Sequence, residues 1–553
     1  MKWNYLDSSL PQTQEELFSL LLNNRGITDQ NTFFHPPHPS QLTTEQIGID
    51  SDQLSLATDR IWRAVADKEQ IVIFGDYDAD GICATAVLWQ TLAAIGCPAK
   101  PFIPLRDKHG YGVSHTALDD IAAEKKPSLL ITVDNGIVAH EAIQHANDLG
   151  IEVIITDHHQ PEATFPAALA VVHTTQLCGA TVAWMLSREL LIRAKKTQLA
   201  DTLLDFCGIA TIADQVPLVG ANRSFAWHGL AALQHSQNPG IMALLKIINP
   251  EQAPITSTTV GFSLAPRLNA MGRLAHGLDA LRLLCTTSTK TAHELAELLT
   301  VTNQHRQELT QSLLDSALRQ AETQADERLL IINSSEFHEG IIGLLAGRLV
   351  EVFSKPAIVL SEGGQTAKAS ARSIPGVNIV ELIRQVREDL LSVGGHPMAA
   401  GFGVELSKLE LVKKRLHQVA RKSVELDLLL PTLELDCTLP LALCTADAIK
   451  ALDRLAPFGA ANPRPVFAIT GLTILAVQTM GKMQEHLKLV VGQPGSANPG
   501  VSASTIEVVG WRLAHKAGEL KTGQVVDLAG SLELNEWRGK AKVQVVLKDL
   551  IKS

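Results

Sequence analysis

The chain has 553 residues, 46% of them hydrophobic and 19% charged, with a formal net charge of −10. That length exceeds what one core can hold and predicts two to four domains of an ordinary folded protein. The negative charge excludes a histone-like coat for polyanions, and no run of about 18 apolar residues is present to span a membrane.

Met1 to Asp7 forms no apolar segment, so no secretory leader is expected. Seven scattered cysteines without a Cys-x-x-Cys pair fit reduced thiols in a cytoplasm. Residues 1–50 are polar and punctuated by His35-Pro36-Pro37-His38-Pro39, which predicts an N-terminal arm with short helices. Over 51–240, apolar strand runs alternate with helical patterns, the signature of βαβ units and a doubly wound parallel sheet.

Three of those runs end in acid and histidine: Asp76-Tyr77-Asp78-Ala79-Asp80-Gly81, Asp134-Asn135 and Asp157-His158-His159. If the strands are neighbours, these groups meet at one carboxyl edge, where open α/β sheets hold ligands. Hard carboxylate oxygens with a few imidazoles suit Mn²⁺ or Mg²⁺, and more than three carboxylates suggest two ions. The chemistry is then metal-dependent phosphoryl hydrolysis. Asp214 ends a further apolar run and reads from the sequence alone as either a helix cap or a loop acid. Arg106, before His109-Gly110-Tyr111-Gly112, reads either as a phosphate binder or as part of a solvated loop.

Residues 241–325 read as a helical linker with one or two long helices after about 275. Arg267, Asn269 and Arg273 at its start are candidate anion binders. A second α/β block follows over 326–425. It carries Ser370 and Arg372 after a strand, and the glycine-rich segment Gly394-Gly395-His396, which permits close backbone approach to a phosphate. Residues 430–553 break into five short alternating runs, a pattern for a small β-barrel of OB type. From Lys482 onward ten Lys and Arg face seven Asp and Glu, a weak local excess of positive charge. Phe467, Trp511 and Trp537 lie among Lys482, Lys488, Arg512 and Arg538, where they would either stack on bases or fill the barrel core.

Together these motifs resemble the DHH phosphoesterase superfamily: Asp76 to Gly81, Asp134-Asn135, Asp157-His158-His159 and Asp214 match its four motifs, and Gly394-Gly395-His396 its associated domain. Phe74 to Gly81, Pro266-Arg267-Leu268-Asn269-Ala270, His338 to Gly343 and Gly394 to Pro397 look like the single-strand-specific exonucleases within it. One departure is Pro457-Phe458-Gly459-Ala460-Ala461-Asn462, where a second glycine is expected before Asn462.

The resemblance implies a DHH catalytic domain at 51–240, a linker helix, a DHH-associated domain at 326–425 and an OB-fold that binds nucleic acid at 430–553. It implies a 5′→3′ exonuclease that degrades single-stranded DNA to mononucleotides in recombination and repair. Single-strand-binding protein and a helicase would be its partners. Asp78, Asp80, Asp134, His158 and Asp214 would hold two Mn²⁺ or Mg²⁺ ions. Asp76 and His159 would be catalytic groups, the first accepting hydrogen bonds beside the ions and the second contacting the scissile phosphate. Arg106, Arg267, Asn269, Arg273, Ser370, Arg372, Gly394, Gly395 and His396 would hold substrate. A phosphodiesterase acting on short oligonucleotides or cyclic dinucleotides is the alternative, which the barrel and long linker disfavour. A DNA-binding scaffold with a degenerate site would lack ligands, yet all four motifs are complete.

Overall fold

The computed structural model describes residues 1–552 apart from 98, 107, 111, 494–504 and 538–539. Two units emerge, Pro37–Leu429 and Met1–Pro36 with Leu430–Ser553. Strand β1 (Lys2–Tyr5) belongs to the latter. The larger unit begins with a five-stranded parallel sheet of β2 (Ile71–Phe74), β3 (Lys100–Phe102), β4 (Leu129–Val133), β5 (Glu152–Asp157) and β6 (Ala170–His173). Its order is β3-β2-β4-β5-β6.

The two-residue period of the strands separates two helical layers. Ile71, Ile73, Leu129, Ile131 and Ile154 share a core with helices Ala79–Ala94 and Gly179–Arg193. Val72, Phe74, Leu130, Val153 and Ile155 face the helices His115–Lys125 and His140–Asp148 on the other side. The sheet is doubly wound, as expected. Its strand order reverses between β2 and β4, so a crevice opens at their carboxyl ends.

The linker contains the helix Gly277–Cys285 and the 34-residue helix Thr289–Glu322. Ala292, Leu295, Ala296 and Leu299 pack into the first core. Leu314, Ala317 and Ala321 pack with β7 (Leu330–Ser334) and the helix Ile342–Phe353. One helix about 50 Å long thus bridges both blocks. The second sheet adds β8 (Ala357–Gly363), β9 (Thr366–Arg372), β10 (Ser392–His396) and β11 (Ala399–Glu405), in the order β10-β11-β9-β8-β7. Only its β7–β8 pair is parallel. Gly394, Gly395 and His396, a glycine-rich segment in the sequence, form the edge strand paired to Gly401, Ala400 and Ala399.

In the smaller unit β12 (Thr432–Leu435) pairs in parallel with β1, and β13 (Cys437–Thr438) leads into the barrel. Strands β14 (Phe467–Met480), β15 (His486–Gly492), β16 (Thr505–Gly510), β17 (Val525–Trp537) and β18 (Lys540–Lys552) run β14-β15-β16-β18-β17, and β17 closes on β14. That closed five-strand order is an OB-fold.

The N-terminal arm expected over residues 1–50 is not one body. Leu17, Leu20, Leu21 and Leu22 of the helix Gln14–Asn24 lie in the barrel core. Arg25 Nη1 bonds Asp436 Oδ1 at 2.8 Å with both side chains buried. Leu42, Ile47 and Ile49 instead join the first core of the larger unit. Phe467 is fully buried in the barrel, whereas Trp511 is half-exposed with its ring edge on His486 at 4.8 Å. Lys488 is paired with Glu507 at 2.9 Å. The Trp537 side chain, Arg538 and Tyr111 lie outside the described residues.

Candidate active site

The crevice between β2 and β4 collects the strand-end acids. Asp78 is the N-cap of the helix Ala79–Ala94, its Oδ1 accepting from Gly81 N at 3.0 Å. Asp76 Oδ1 accepts from Tyr77 N at 2.7 Å. A Cβ on Gly81 would lie 2.6 Å from Asp76 Cβ, so only glycine allows the acidic loop to fold back on itself. Asp80 is buried, and its two oxygens accept from Gly179 N and Ala180 N at 2.7 Å each. Those amides open the helix Gly179–Arg193, whose N-terminal dipole favours an anion there.

Asp134 follows β4 with φ of 61°, a left-handed conformation uncommon for a side-chain-bearing residue and found preferentially at functional sites. Its Oδ1 is buried and takes no hydrogen bond among the described residues. A buried oxygen without a donor is costly unless a cation or proton occupies its lone pairs.

His158 Nε2 lies 3.2 Å from that oxygen and 3.7 Å from both Asp80 Oδ2 and Asp214 Oδ2. Burial, with the neighbouring His159 charge, lowers the His158 pKa to about 4, so a neutral ring presents a lone pair. Asp214 sits at the end of the helix Leu204–Ala213. Three overlapping sets, Asp134-His158-His159, Asp80-His158-Asp214 and Asp76-Asp78-Asp134, gather donor atoms within 4.8 Å of one another. Burial first, then neighbouring carboxylates, raises Asp76 to about 8, Asp80 to about 7 and Asp214 to about 9, and pushes Asp134 well up. Such mutual repulsion, the orphaned Asp134 oxygen and a hard oxygen-and-imidazole donor set fit divalent cations.

His159 has the opposite character. Burial opposes its charge, but the hydrogen bond from Nδ1 to Asp157 Oδ1 at 2.8 Å and the Asp157 charge outweigh it, raising its pKa to about 9. Asp157 is itself buried and accepts from Ile137 N at 2.9 Å and His158 N at 2.7 Å. Its pKa is held low despite that burial, chiefly by the His159 hydrogen bond. The sequence marked Asp157 only as the start of a motif; its grip on His159 emerges from the fold.

Beside Asp76 and Asp78 lies a cavity of about 190 Å³ lined by Arg106, Asn269, Arg273, Ser370, Arg372 and Gly343, among others. Arg273 Nη1 donates to Gly340 O, and Arg372 Nη1 to Ala371 O and Ser370 Oγ. Burial, then the charges of Arg106, Arg372 and Arg306, lowers Arg273 to about 10. Cations crowded this way call for a polyanion. Gly343, in the first turn of the helix Ile342–Phe353, adds its N-terminal dipole.

Asn269 has a second task, its Oδ1 accepting from Ala79 N at 2.7 Å in the acidic loop. His396 reaches the site from β10, its ring stacked at 5.7 Å from His159. Arg267, Gly394 and Gly395 do not line the cavity; Arg267 bonds Ser263 O and Thr300 Oγ1 instead. Tyr77, Glu339 and Gly343 also line it, and no sequence motif singled them out as ligands.

A model of the DHH family N-terminal domain matches residues 70–211, one of the DHHA1 domain residues 326–422, and one of the RecJ OB domain residues 435–549. The single-stranded-DNA-specific exonuclease RecJ of Salmonella typhimurium is 32% identical, with 98% of this chain and 97% of that protein covered. RecJ of Bacillus subtilis is 34% identical over 89% of this chain, which spans only 62% of that longer relative. The crystal structure of RecJ from Thermus thermophilus in complex with Mn²⁺ superposes with a TM-score of 0.84 at 29% identity, covering 100% of this chain and 80% of that one. Its complex with Mg²⁺ gives a TM-score of 0.79 at 27% identity, with 100% and 78% covered.

Proposed function

This chain belongs to the RecJ family of single-stranded-DNA-specific exonucleases, and from that premise we propose that it removes mononucleotides from the 5′ end of single-stranded DNA. It is a metal-dependent exonuclease that uses Mn²⁺ or Mg²⁺. The observation that carries the reading is the juxtaposition of a buried carboxylate-imidazole cluster with a cavity lined by Arg106, Arg273 and Arg372.

Asp78, Asp80, Asp134, His158 and Asp214 would hold the two ions. Bound there, such ions acidify water and polarise the phosphoryl oxygens. His158 serves as a neutral ligand at working pH. His159, protonated and fixed through Nδ1 by Asp157, offers Nε2–H to a non-bridging oxygen of the scissile phosphate. Asp76, whose Oδ1 accepts from Tyr77 N, stands beside the ions as a hydrogen-bonding group. Arg106, Arg273, Arg372 and Ser370 seat a terminal phosphate, so that the next phosphodiester falls beside the acids. A seat that grips a terminal phosphate supports stepwise removal, and the 5′ end is the one the family resemblance implies.

Action on short oligonucleotides or cyclic dinucleotides alone is disfavoured, because the match to single-strand exonucleases continues through the barrel. Contacts with single-strand-binding protein and a helicase, roles in recombination and repair, and a cytoplasmic setting are proposed on the same resemblance. No helix among the described residues is long and apolar enough to cross a membrane. The test is Mn²⁺-dependent digestion of one long strand labelled at either end, beside a dinucleotide. Early release of labelled mononucleotide from the 5′ end supports the reading; early 3′ release, internal cuts or dinucleotide-only turnover refute it.

A further inference from the structure

Phe262 is 81% exposed, although it stands in the larger unit on the element that leads into the active site. It lies in the turn Val260–Leu264, which runs directly into the helix Ala265–Leu274 that carries Arg267, Asn269 and Arg273. The turn is π-helical, with Ala265 N–H donating to Val260 O. Pro266 explains the widening, because it has no N–H for the Phe262 carbonyl and its ring crowds that oxygen. Phe262 is therefore held outward on a helical support.

Arg267 donates from Nη1 to Ser263 O at 2.6 Å and from Nε to Thr300 Oγ1 at 3.2 Å. These bonds tie the residue after Phe262 to the residue before Val301, which is 64% exposed. No charged partner among the described residues shifts Arg267: burial alone lowers its pKa. Further along the same helix, Asn269 grips Ala79 in the acidic loop. At a rise of ~1.5 Å per residue, position 262 lies roughly 10 Å along the axis from that grip. An exposed apolar ring, a guanidinium with no acid beside it among the described residues and the Asn269 contact to the acidic loop thus follow one another along one element.

We propose that Phe262 is a positioning residue that stacks on a base of the incoming single strand, while Arg267 holds the adjoining phosphate. The proposal rests on the exonuclease reading above. Every base has a π-face, so the contact adds affinity without reading sequence. A duplex, whose bases face one another inside its stack, cannot present a base to the ring in this way.

Phe262→Ala should raise KM for Mn²⁺-dependent digestion of an oligo-dT strand by on the order of tenfold, with kcat and melting temperature nearly unchanged. Phe262→Trp should restore KM. A single abasic site, scanned along the strand, should weaken binding to the wild type at one position near the cleaved end, and Phe262→Ala should be indifferent to it there. An unchanged KM, a Trp variant as poor as the Ala variant, or an abasic penalty that is the same in both proteins at every position would overturn the stacking role. If the wild type itself fails to digest the strand, the exonuclease reading falls instead, so the two failures are distinct.

Discussion

At the residue scale, two adjacent histidines in near-identical sequence surroundings carry opposite charge states. His158 is held neutral by burial, with a pKa lowered to about 4, whereas Asp157 holds His159 protonated to about 9 against the same burial. In the proposed mechanism the first ligates a cation and the second meets a phosphate. Asp157→Asn removes the charge that sustains the imidazolium. Activity with Mn²⁺ should drop by on the order of 100-fold, the lower end of what losing one charged donor to the reacting group costs. The alkaline limb of the rate profile should also move from about pH 9 toward the ordinary histidine value of about 6.5. A rate and limb identical to the wild type would remove His159 from the reaction.

Much of this was legible from residue order, because acids ending parallel strands must share an edge once the strands are neighbours. The Asp157–His159 bond was not, since a motif shows which groups are adjacent and not which atoms face one another. The amides of Gly179 and Ala180 on Asp80 were hidden for another reason: backbone donors leave no mark in residue type.

At the scale of elements, the helix Gly179–Arg193 does for Asp80 what a basic side chain would do elsewhere. A Cβ on Gly179 would lie 2.5 Å from Asp134 Oδ1. Gly179→Ala must therefore shift either the helix start or the carboxylate. Mn²⁺ affinity, read by titration calorimetry, should fall at least about tenfold, while circular dichroism stays that of a folded protein. Unchanged affinity would mean that Asp134 has freedom the packing denies it.

The long helix Thr289–Glu322 was expected from its periodic leucines and its lack of proline. The edge strand at Gly394–His396 was not, because glycines carry no side-chain alternation. The split of the first 50 residues escaped for a third reason. The pairing of β1 with β12 and the Arg25–Asp436 contact join segments some 400 residues apart, a separation no local pattern spans.

Over the whole molecule, the clustered carboxylates set how stability responds to pH and metal. Asp76, Asp80 and Asp214 stand at about 8, 7 and 9, each raised first by burial, against ordinary values near 4. A carboxyl whose pKa is raised in the folded state binds protons better folded than unfolded. Metal-free protein should then lose stability as pH climbs from about 4 through about 9. Divalent ions replace those protons, so added Mn²⁺ should raise the melting temperature of the larger unit more at about pH 8.5 than at about pH 6. A Mn²⁺ shift equal at both pH values would show that these groups are not what the ion meets.

The convergence of Asp78, Asp80, Asp134, His158 and Asp214 on a pair of cations is tested most directly by counting the cations. Chelator-treated wild type should take up two Mn²⁺ per chain in a calorimetric titration. Asp134→Ala, whose missing oxygen is the one left without a donor, should take up at most one and should digest single-stranded DNA at a small fraction of the wild-type rate. Two ions bound at undiminished affinity by the variant, or near-normal digestion, would contradict the assignment.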